Sequence, residues 1–238
     1  MISYAKQNGI IIFLDILGIK GIWRRRNPFK VIQKWQYLVR IYNNLSKDML
    51  SAYSQSEIEK REMIIFSDTI IITIPKIPTN NVLWGIASML TSLFVHSSND
   101  RLFIRGGLSS GVYYHSENMI IGPAIDEVYE YHKQIEWAGI STAPSLTKII
   151  KQQEKRGKSE HGYCPYDIPT KKGAERDGRA LFWPPFDIVT SENRTIESII
   201  KTELKKNIEE NAKNKLENTL RFIQYIKGKY KIQNLVLS

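Results

Sequence analysis

The chain has 238 residues, of which 42% are hydrophobic and 24% charged, and it carries a formal net charge of +10. This composition excludes a disordered or low-complexity chain, and the length favours one folded domain with at most an extension. Cys164 is the only cysteine, which excludes an internal disulfide and a multi-cysteine zinc site. The positive charge indicates an anionic partner, and nucleic acid, anionic lipid and a nucleoside triphosphate all satisfy that condition.

The first apolar segment and the cysteine content indicate the compartment. The longest apolar run near the start, residues 9–19, is too short to cross a bilayer and contains Asp15. Nothing before this run is typical of a signal peptide. A single unpaired cysteine is typical of a reducing compartment. We therefore expect a cytoplasmic protein with no membrane partner.

Hydrophobic periodicity predicts alternating strands and helices along the chain. β-Branched and aromatic residues at 10–14 predict a buried central strand, and helical spacing over residues 28–50 predicts a long amphipathic helix. The elements predicted after them are a hairpin of 63–66 and 70–74 with a polar tip, a helix at 81–95, a strand pair of 102–104 and 108–114, a helix at 124–135, a strand at 140–143, a helix at 145–153, a last hairpin within 163–186, and an amphipathic helix or helix pair at 195–227.

This order of elements predicts the fold class. Strand, helix, hairpin, helix, strand pair, helix and strand together match an α+β, ferredoxin-like sandwich, with a mixed, mostly antiparallel sheet and helices packed on it. We expect the main domain to comprise residues 1–190. Residues 191–238 would form a C-terminal helical extension that packs on this domain.

Two aspartates occupy unusual places in the predicted sheet. Asp15 ends an apolar run, where a carboxylate is costly unless a cation or hydrogen-bond donors satisfy it, and Asp68 lies at the tip of an apolar hairpin. A helix N-cap or a buried ion pair would explain Asp15 alone, and an ordinary turn would explain Asp68 alone. In a ferredoxin-like sheet the first strand and the hairpin are neighbours, so both carboxylates can converge on one edge. Two hard cations held there would contact phosphate oxygens.

Three short strings carry a family resemblance. FLDILG at residues 13–18, FSD at 66–68 and RGGLSSG at 105–111 occur in this order and resemble the catalytic domain of class III adenylyl and guanylyl cyclases. The resemblance covers residues 9–151. It implies a nucleotide cyclase in which the sites form between two subunits, so a homodimer is expected.

The resemblance also implies which residues hold the cofactor and the substrate. The Asp15 and Asp68 side chains and the Ile16 carbonyl would coordinate two Mg²⁺ or Mn²⁺ ions in each active site. Unpaired backbone N–H groups after Asp15 would contact the phosphates, as at the N-terminus of a helix. The residues concerned are Leu17, Gly18, Ile19 and Lys20.

The sequence departs from the family at the residues that read the base and stabilise the transition state. Purine cyclases carry a lysine and an aspartate that contact the purine edge, and Ile64 and Met119 occupy those positions. An apolar base pocket is therefore implied, which disfavours ATP and GTP. The asparagine and the arginine of the family's central helix align with Asp126 and Glu130.

Other residues would then supply positive charge to the phosphates. Arg105 and Lys172 are the candidate catalytic residues, and Lys171 is a candidate phosphate ligand. The run TKKG at residues 170–173 resembles the lysine–glycine segment of the family's final hairpin. A structural strand arginine and a solvated basic turn are the alternative interpretations of these residues.

A subgroup is also indicated. Residues 122–130, GPAIDEVYE, together with the missing purine readers, resemble the bacterial pyrimidine cyclases of Pycsar-type anti-phage signalling. This resemblance implies conversion of UTP or CTP to a 3′,5′-cyclic mononucleotide and pyrophosphate. The product would activate a separately encoded effector.

Two functions of other classes remain as alternatives. A catalytically inactive, nucleotide-sensing or dimerisation module is indicated by Glu130 at the arginine position. An RNA or single-stranded DNA binder would need exposed aromatic residues on its strands, and these strands are mostly aliphatic, so we expect no stable nucleic-acid partner. The four histidines show no metal-ligand spacing and are interpreted as surface or core residues: His96, His115, His132 and His161.

Overall fold

The computed structural model describes residues 5–17, 27–50, 62–116, 119–158, 162–183 and 194–230, without the side chains of 45–50. Within these ranges it contains eight strands and six helices. The strands are β1 (Ala5–Ile16), β2 (Glu62–Phe66), β3 (Thr69–Ile74), β4 (Ile104–Ser116), β5 (Met119–Ile121), β6 (Ile140–Thr142), β7 (Tyr163–Thr170) and β8 (Gly173–Leu181). The helices are α1 (Pro28–Leu50), α2 (Asn80–Asn99), α3 (Pro123–Gln134), α4 (Pro144–Lys155), α5 (Ile196–Leu204) and α6 (Glu210–Lys229).

All the strands belong to one mixed sheet. Their order is β2-β3-β1-β4-β6-β8-β7, with β5 paired to β4 outside this path. The β4–β6 pair is parallel and the other pairs are antiparallel. The first half of the chain runs β1-α1-β2-β3-α2-β4 with the strands in the order β2-β3-β1-β4, which is a ferredoxin-like arrangement. The predicted α+β class with a mostly antiparallel sheet is therefore confirmed.

β1 is the central strand, and its alternating side chains divide the core. Ile10, Ile12 and Leu14 belong to the large hydrophobic cluster that also includes the buried faces of α1 and α2. Ile11 and Phe13 face the other way and pack with α3. Since side chains alternate along a strand, the carboxylate of Asp15 follows Ile11 and Phe13 onto the α3 face. The sheet thus places a charged group beside a covering helix.

The predicted strand pair around residues 105–107 is wrong. β4 is one continuous strand, and its two adjacent glycines allow close packing rather than a turn. A Cβ on Gly106 would lie 2.4 Å from Leu14 Cδ2, and a Cβ on Gly107 would lie 2.9 Å from Tyr131 Cδ1. Both distances are below any ordinary carbon–carbon contact. Glycine here lets β1 and α3 approach the strand.

The C-terminal part of the chain forms a helix pair, α5 and α6. Phe222, Ile223 and Ile226 of α6 are fully buried in the same large cluster as β1. The last hairpin, β7 and β8, joins the sheet next to β6, as the aromatic and proline-rich segment predicts. Over the described ranges, none of the helices has the length and hydrophobicity needed to cross a membrane.

Candidate active site

Asp15 and Asp68 come together because of the strand register. Asp15 lies opposite Thr69 in the β1–β3 pair, and Asp68 is the turn residue immediately before Thr69. The Asp68 carbonyl accepts a hydrogen bond from the Ile16 N–H at 3.2 Å. The turn has two residues, and Ser67 adopts a positive φ of 57° to close it. A hairpin tip predicted from sequence thus delivers its carboxylate to the end of the central strand.

Arg105 neutralises Asp15 across the sheet. The two residues are directly opposite in the β1–β4 pair, so their side chains leave the sheet on the same face. Two nitrogens of the Arg105 guanidinium contact the same oxygen, Asp15 Oδ2. Nε donates a hydrogen bond to it at 3.0 Å, and Nη2 lies 2.9 Å from it. Its Nη1 donates to the Ile135 carbonyl at 3.4 Å. Arg105 therefore links the carboxylate to the C-terminal end of α3.

Burial raises the pKa of Asp15, the charge of Arg105 lowers it and the neighbouring Asp68 carboxylate raises it, and the net result is a pKa of about 6. Each effect has a plain cause, since a low-polarity surrounding and a like charge both disfavour ionisation, whereas a guanidinium favours it. At neutral pH Asp15 is ionised, but one cation does not fully offset its burial and its acidic neighbour. Such a pair favours an additional positive charge.

His132 belongs to this site, although the sequence interpretation treated it only as a surface or core residue. Its side chain is 6% exposed, and its Nε2 lies 3.7 Å from Asp15 Oδ2 without a hydrogen-bond partner among the described residues. Its ring packs on Phe13 at 4.7 Å between centroids. Burial, together with the charges of Arg105 and Lys171, lowers the pKa of His132 to about 3. The imidazole is therefore neutral at physiological pH.

Lys171 lies at the turn between β7 and β8, beside the C-terminal end of α3. Its backbone N–H donates to the Gln134 carbonyl at 2.8 Å, and Thr170 forms a β-bridge with Ile135. The positive charge of Lys171 contributes to the lowered pKa of His132. Lys172 is exposed on the same turn, where its N–H donates to Thr170 Oγ1 at 3.3 Å.

The predicted phosphate-binding backbone is only partly described. The N–H of Leu17 donates to the Phe103 carbonyl at 2.8 Å, so it is not a free donor for phosphate in this structure. This hydrogen bond corrects the role expected for Leu17, and its cause is the continuation of the β1–β4 pairing by one residue. Gly18, Ile19 and Lys20 lie outside the described residues. Ile16 ends β1 with a buried side chain.

The residues predicted to face the base or the transition state are partly or largely exposed. Ile64 on β2 is 37% exposed and Met119 on β5 is 39% exposed. Asp126 and Glu130 lie on the exposed stripe of α3, opposite the face that packs on β1, and Glu130 pairs with Lys133 at 2.8 Å. Within a single chain, these two acidic residues therefore point away from the sheet that carries Asp15.

The donor set suits a small, hard divalent cation. Over the part of the chain that is described, no three His, Cys, Asp or Glu side chains form a ready-made metal cluster. Mg²⁺ is commonly held by one or two carboxylates plus substrate phosphates rather than by a complete protein cage. The Asp15–Asp68 pair, with its raised Asp15 pKa, fits that mode of binding.

The raised pKa of Asp15 predicts how the free energy of unfolding depends on pH in the presence of EDTA. The unfolded chain releases the Asp15 proton near 3.8, whereas the folded protein releases it near 6. Between these values the unfolded state binds fewer protons, so the free energy of unfolding falls as pH rises from about 4 to about 6, by up to about 3 kcal/mol. Denaturant unfolding of the wild type and of Asp15→Asn at pH values from 4 to 7 measures this fall in the free energy of unfolding. An identical slope in both proteins would contradict the prediction.

Comparison with solved structures shows what the fold is similar to. The catalytic core of a rhodopsin-guanylyl cyclase with converted specificity, in complex with ATPαS, superposes with a TM-score of 0.53 at 13% identity, over 75% of this chain and 98% of that chain. The guanylate cyclase domain of RhGC from Catenaria anguillulae, in complex with GTP, superposes with a TM-score of 0.51 at 12% identity, over 76% of this chain and 100% of that chain. The chain thus has the fold of class III cyclase catalytic domains, as the sequence resemblance implies.

Sequence-level comparisons add nothing to this result. No protein-family model matches the chain, and no curated protein matches it.

Proposed function

We propose that this protein is a nucleotide cyclase that converts a nucleoside triphosphate to a 3′,5′-cyclic mononucleotide and pyrophosphate. The observation that carries the proposal is the convergence of Asp15 and Asp68 at the end of the central strand. The fold supports it, because the similar structures are guanylyl cyclase domains that contain GTP or ATPαS. The experiment that tests it is incubation with each of the four ribonucleoside triphosphates and Mn²⁺, followed by mass spectrometry of the products.

The reaction needs charge and positioning more than covalent chemistry from the protein. The 3′-oxygen forms a bond to the α-phosphorus as the bond to the pyrophosphate oxygen breaks, and the hydroxyl proton leaves to solvent or a base. Two Mg²⁺ or Mn²⁺ ions, held by Asp15, Asp68 and the Ile16 carbonyl, would lower the pKa of the 3′-hydroxyl and neutralise the leaving pyrophosphate. The Asp15 and Asp68 side chains are the groups of this chain that would attract such ions.

Positively charged side chains of this chain would stabilise the phosphates in place of the arginine found in the family. Arg105 would contact the phosphates once a metal replaces it on Asp15, and Lys171 and Lys172 would reach the terminal phosphates from the β7–β8 turn. The hydrogen bond from the Lys171 N–H to the Gln134 carbonyl, at 2.8 Å, supports the position of that turn beside the end of α3. Developing negative charge in a water-poor site is strongly stabilised by such groups.

A homodimer is part of the proposal. Large apolar side chains are exposed on the α3 side of the sheet, with Phe66 79%, Tyr129 47% and Ile64 37% exposed. A second copy that covers this surface would bury them and would bring the exposed stripe of α3, with Asp126 and Glu130, to the partner's carboxylates. Sedimentation velocity tests the dimer. Use of the product by a separately encoded effector in antiviral signalling remains part of the same proposal.

The base is expected to be a pyrimidine. Ile64 and Met119 would line a dry pocket that offers no polar group to a purine edge, and an unpaired buried polar atom costs about 1–3 kcal/mol. UTP or CTP should therefore react at least about tenfold faster than ATP or GTP, measured as kcat/KM. A purine preference would contradict the assignment of Ile64 and Met119 without affecting the two carboxylates.

An inactive nucleotide-sensing module is the second candidate function. Glu130 favours it, because the position that holds an arginine in cyclases carries an acid, and this acid is ion-paired to Lys133. The same product assay separates the two functions. Triphosphate binding without a cyclic product from any of the four nucleotides would favour the module.

A further inference from the structure

The Arg105 side chain and the backbone of Lys171 both bind one short segment. We define the connector as residues 134–138, which join α3 to β6. The Gln134 carbonyl accepts the backbone N–H of Lys171 at 2.8 Å, and the Ile135 carbonyl accepts Arg105 Nη1 at 3.4 Å. The Glu136 N–H continues this contact by donating to the Pro169 carbonyl at 2.8 Å. The position of the connector therefore sets the positions of Arg105 and of the Lys171 turn.

Helix α6 holds the connector from the other side. Thr219 Oγ1 accepts the Ala138 N–H at 2.9 Å and also lies 2.9 Å from the Ala138 carbonyl, to which it donates. Asn218 Nδ2 donates to the Glu136 carbonyl at 2.5 Å. Lys215 Nζ lies 3.1 Å from Glu136 Oε2. Three neighbouring side chains of α6 thus bind both the backbone and the side chain of the connector.

Lys215 is an unusual residue for a surface helix. It is 3% exposed, whereas lysine is almost never fully buried unless it is paired. Its partners are Glu136 and the Asn211 side chain oxygen. Burial lowers the pKa of Lys215, Glu136 raises it, and the charges of Arg105 and Lys171 lower it. A buried ammonium is unfavourable unless an anion compensates it, and the Glu136 carboxylate supplies that compensation and ties Lys215 to the connector.

We propose that α6 is a positioning element of the triphosphate site, and that Lys215 is its positioning residue. Through its ion pair with Glu136, Lys215 sets the connector and with it Arg105 and Lys171. Lys215 itself is too buried to touch a substrate. This inference rests on the proposed function, because it assigns the cationic side of the same site to phosphate binding. It gives the C-terminal extension a role in the chemistry rather than in folding alone.

The test uses inorganic tripolyphosphate with Mg²⁺ as the probe, measured by isothermal titration calorimetry on the full chain. Lys215→Met removes the ammonium and keeps the apolar stem, and we expect tripolyphosphate to bind about tenfold more weakly. For the nucleotide that the wild type cyclises, KM should rise by a similar factor, with a smaller fall in kcat.

Two control variants lie on the same helix. Lys213→Met removes a partly exposed lysine whose ion pair, with Glu210 at 3.9 Å, lies within the helix. Tyr225→Phe removes a hydrogen bond from α6 to the Pro165 carbonyl, at 2.6 Å, which anchors the helix away from the connector. Both should bind tripolyphosphate as the wild type does, and Tyr225→Phe reports what a general loosening of α6 would do.

The outcomes separate the inference from the proposed function. Weaker tripolyphosphate binding by Lys215→Met, with normal binding by the two control variants, supports the positioning role. An equal weakening of tripolyphosphate binding in Tyr225→Phe overturns it. If Lys215→Met does not fold, Glu136→Gln, which keeps the shape of the side chain, should show the same tenfold loss, and normal binding by it would overturn the inference. A wild type that binds tripolyphosphate but forms no cyclic nucleotide refutes only the proposed function. A wild type that does not bind tripolyphosphate refutes the inference.

Discussion

Asp15→Asn and Asp68→Asn should each form cyclic nucleotide about a thousandfold more slowly than the wild type. Asparagine keeps the size of the side chain and removes its negative charge, so packing is retained while the attraction for divalent cations is lost. Both aspartates lie at the same end of β1 and β3, next to Thr69, and the Asp68 carboxylate raises the pKa of Asp15. The initial rate at saturating Mn²⁺, followed by mass spectrometry, measures the effect.

A matched control separates this loss from a loss of stability. Asp100 is also a partly exposed aspartate in an ion pair, with Lys34 Nζ at 2.9 Å, but it lies at the end of α2. Asp100→Asn should keep the full rate. Mn²⁺ binding followed by electron paramagnetic resonance gives a second readout, and it should weaken only in the Asp15 and Asp68 variants. Full activity in either of those variants would remove the metal-ligand assignment.

Arg105→Met should lower turnover by about a hundredfold and leave the affinity for Mn²⁺ unchanged or higher. The guanidinium occupies Asp15 Oδ2 through two nitrogens, so it competes with a cation for the same oxygen. Its removal eliminates that competition, and it also removes a positive charge that would act on the phosphates. Arg105→Lys keeps the charge but loses the bidentate geometry, so its rate should be intermediate.

The control for Arg105 is a second arginine in a comparable ion pair. Arg101 Nη1 lies 3.1 Å from Glu203 Oε1, and this pair joins the loop after α2 to α5. Arg101→Met should keep normal turnover. If Arg105→Met instead abolishes Mn²⁺ binding, Arg105 acts by holding Asp15 in place, and its contact with phosphate must be rejected.

Local patterns predicted most of the elements because the interactions that form them are local. The bounds of α1 agree with the helical spacing of its apolar residues, and the β2–β3 hairpin agrees with its β-branched runs and polar tip. The glycine pair of β4 caused the sequence interpretation to predict two strands instead of one, since a glycine pair is typical of turns. In the structure Gly106 and Gly107 stay in the strand, because β1 and α3 pack too closely for a side chain.

By itself the sequence determined that this chain forms an α+β sandwich, with Asp15 at the end of an apolar strand and Asp68 at the tip of a hairpin, since hydrophobic periodicity and turn composition act over a few residues. Only the tertiary structure decided what surrounds Asp15. The register of β1 with β4 brought Arg105 opposite it, and the docking of α3 brought the buried His132 beside it. The packing of α6 placed Lys215 behind the connector, far along the chain from Asp15. Such contacts depend on strand register and on helix packing between distant segments, so a local sequence pattern does not predict them.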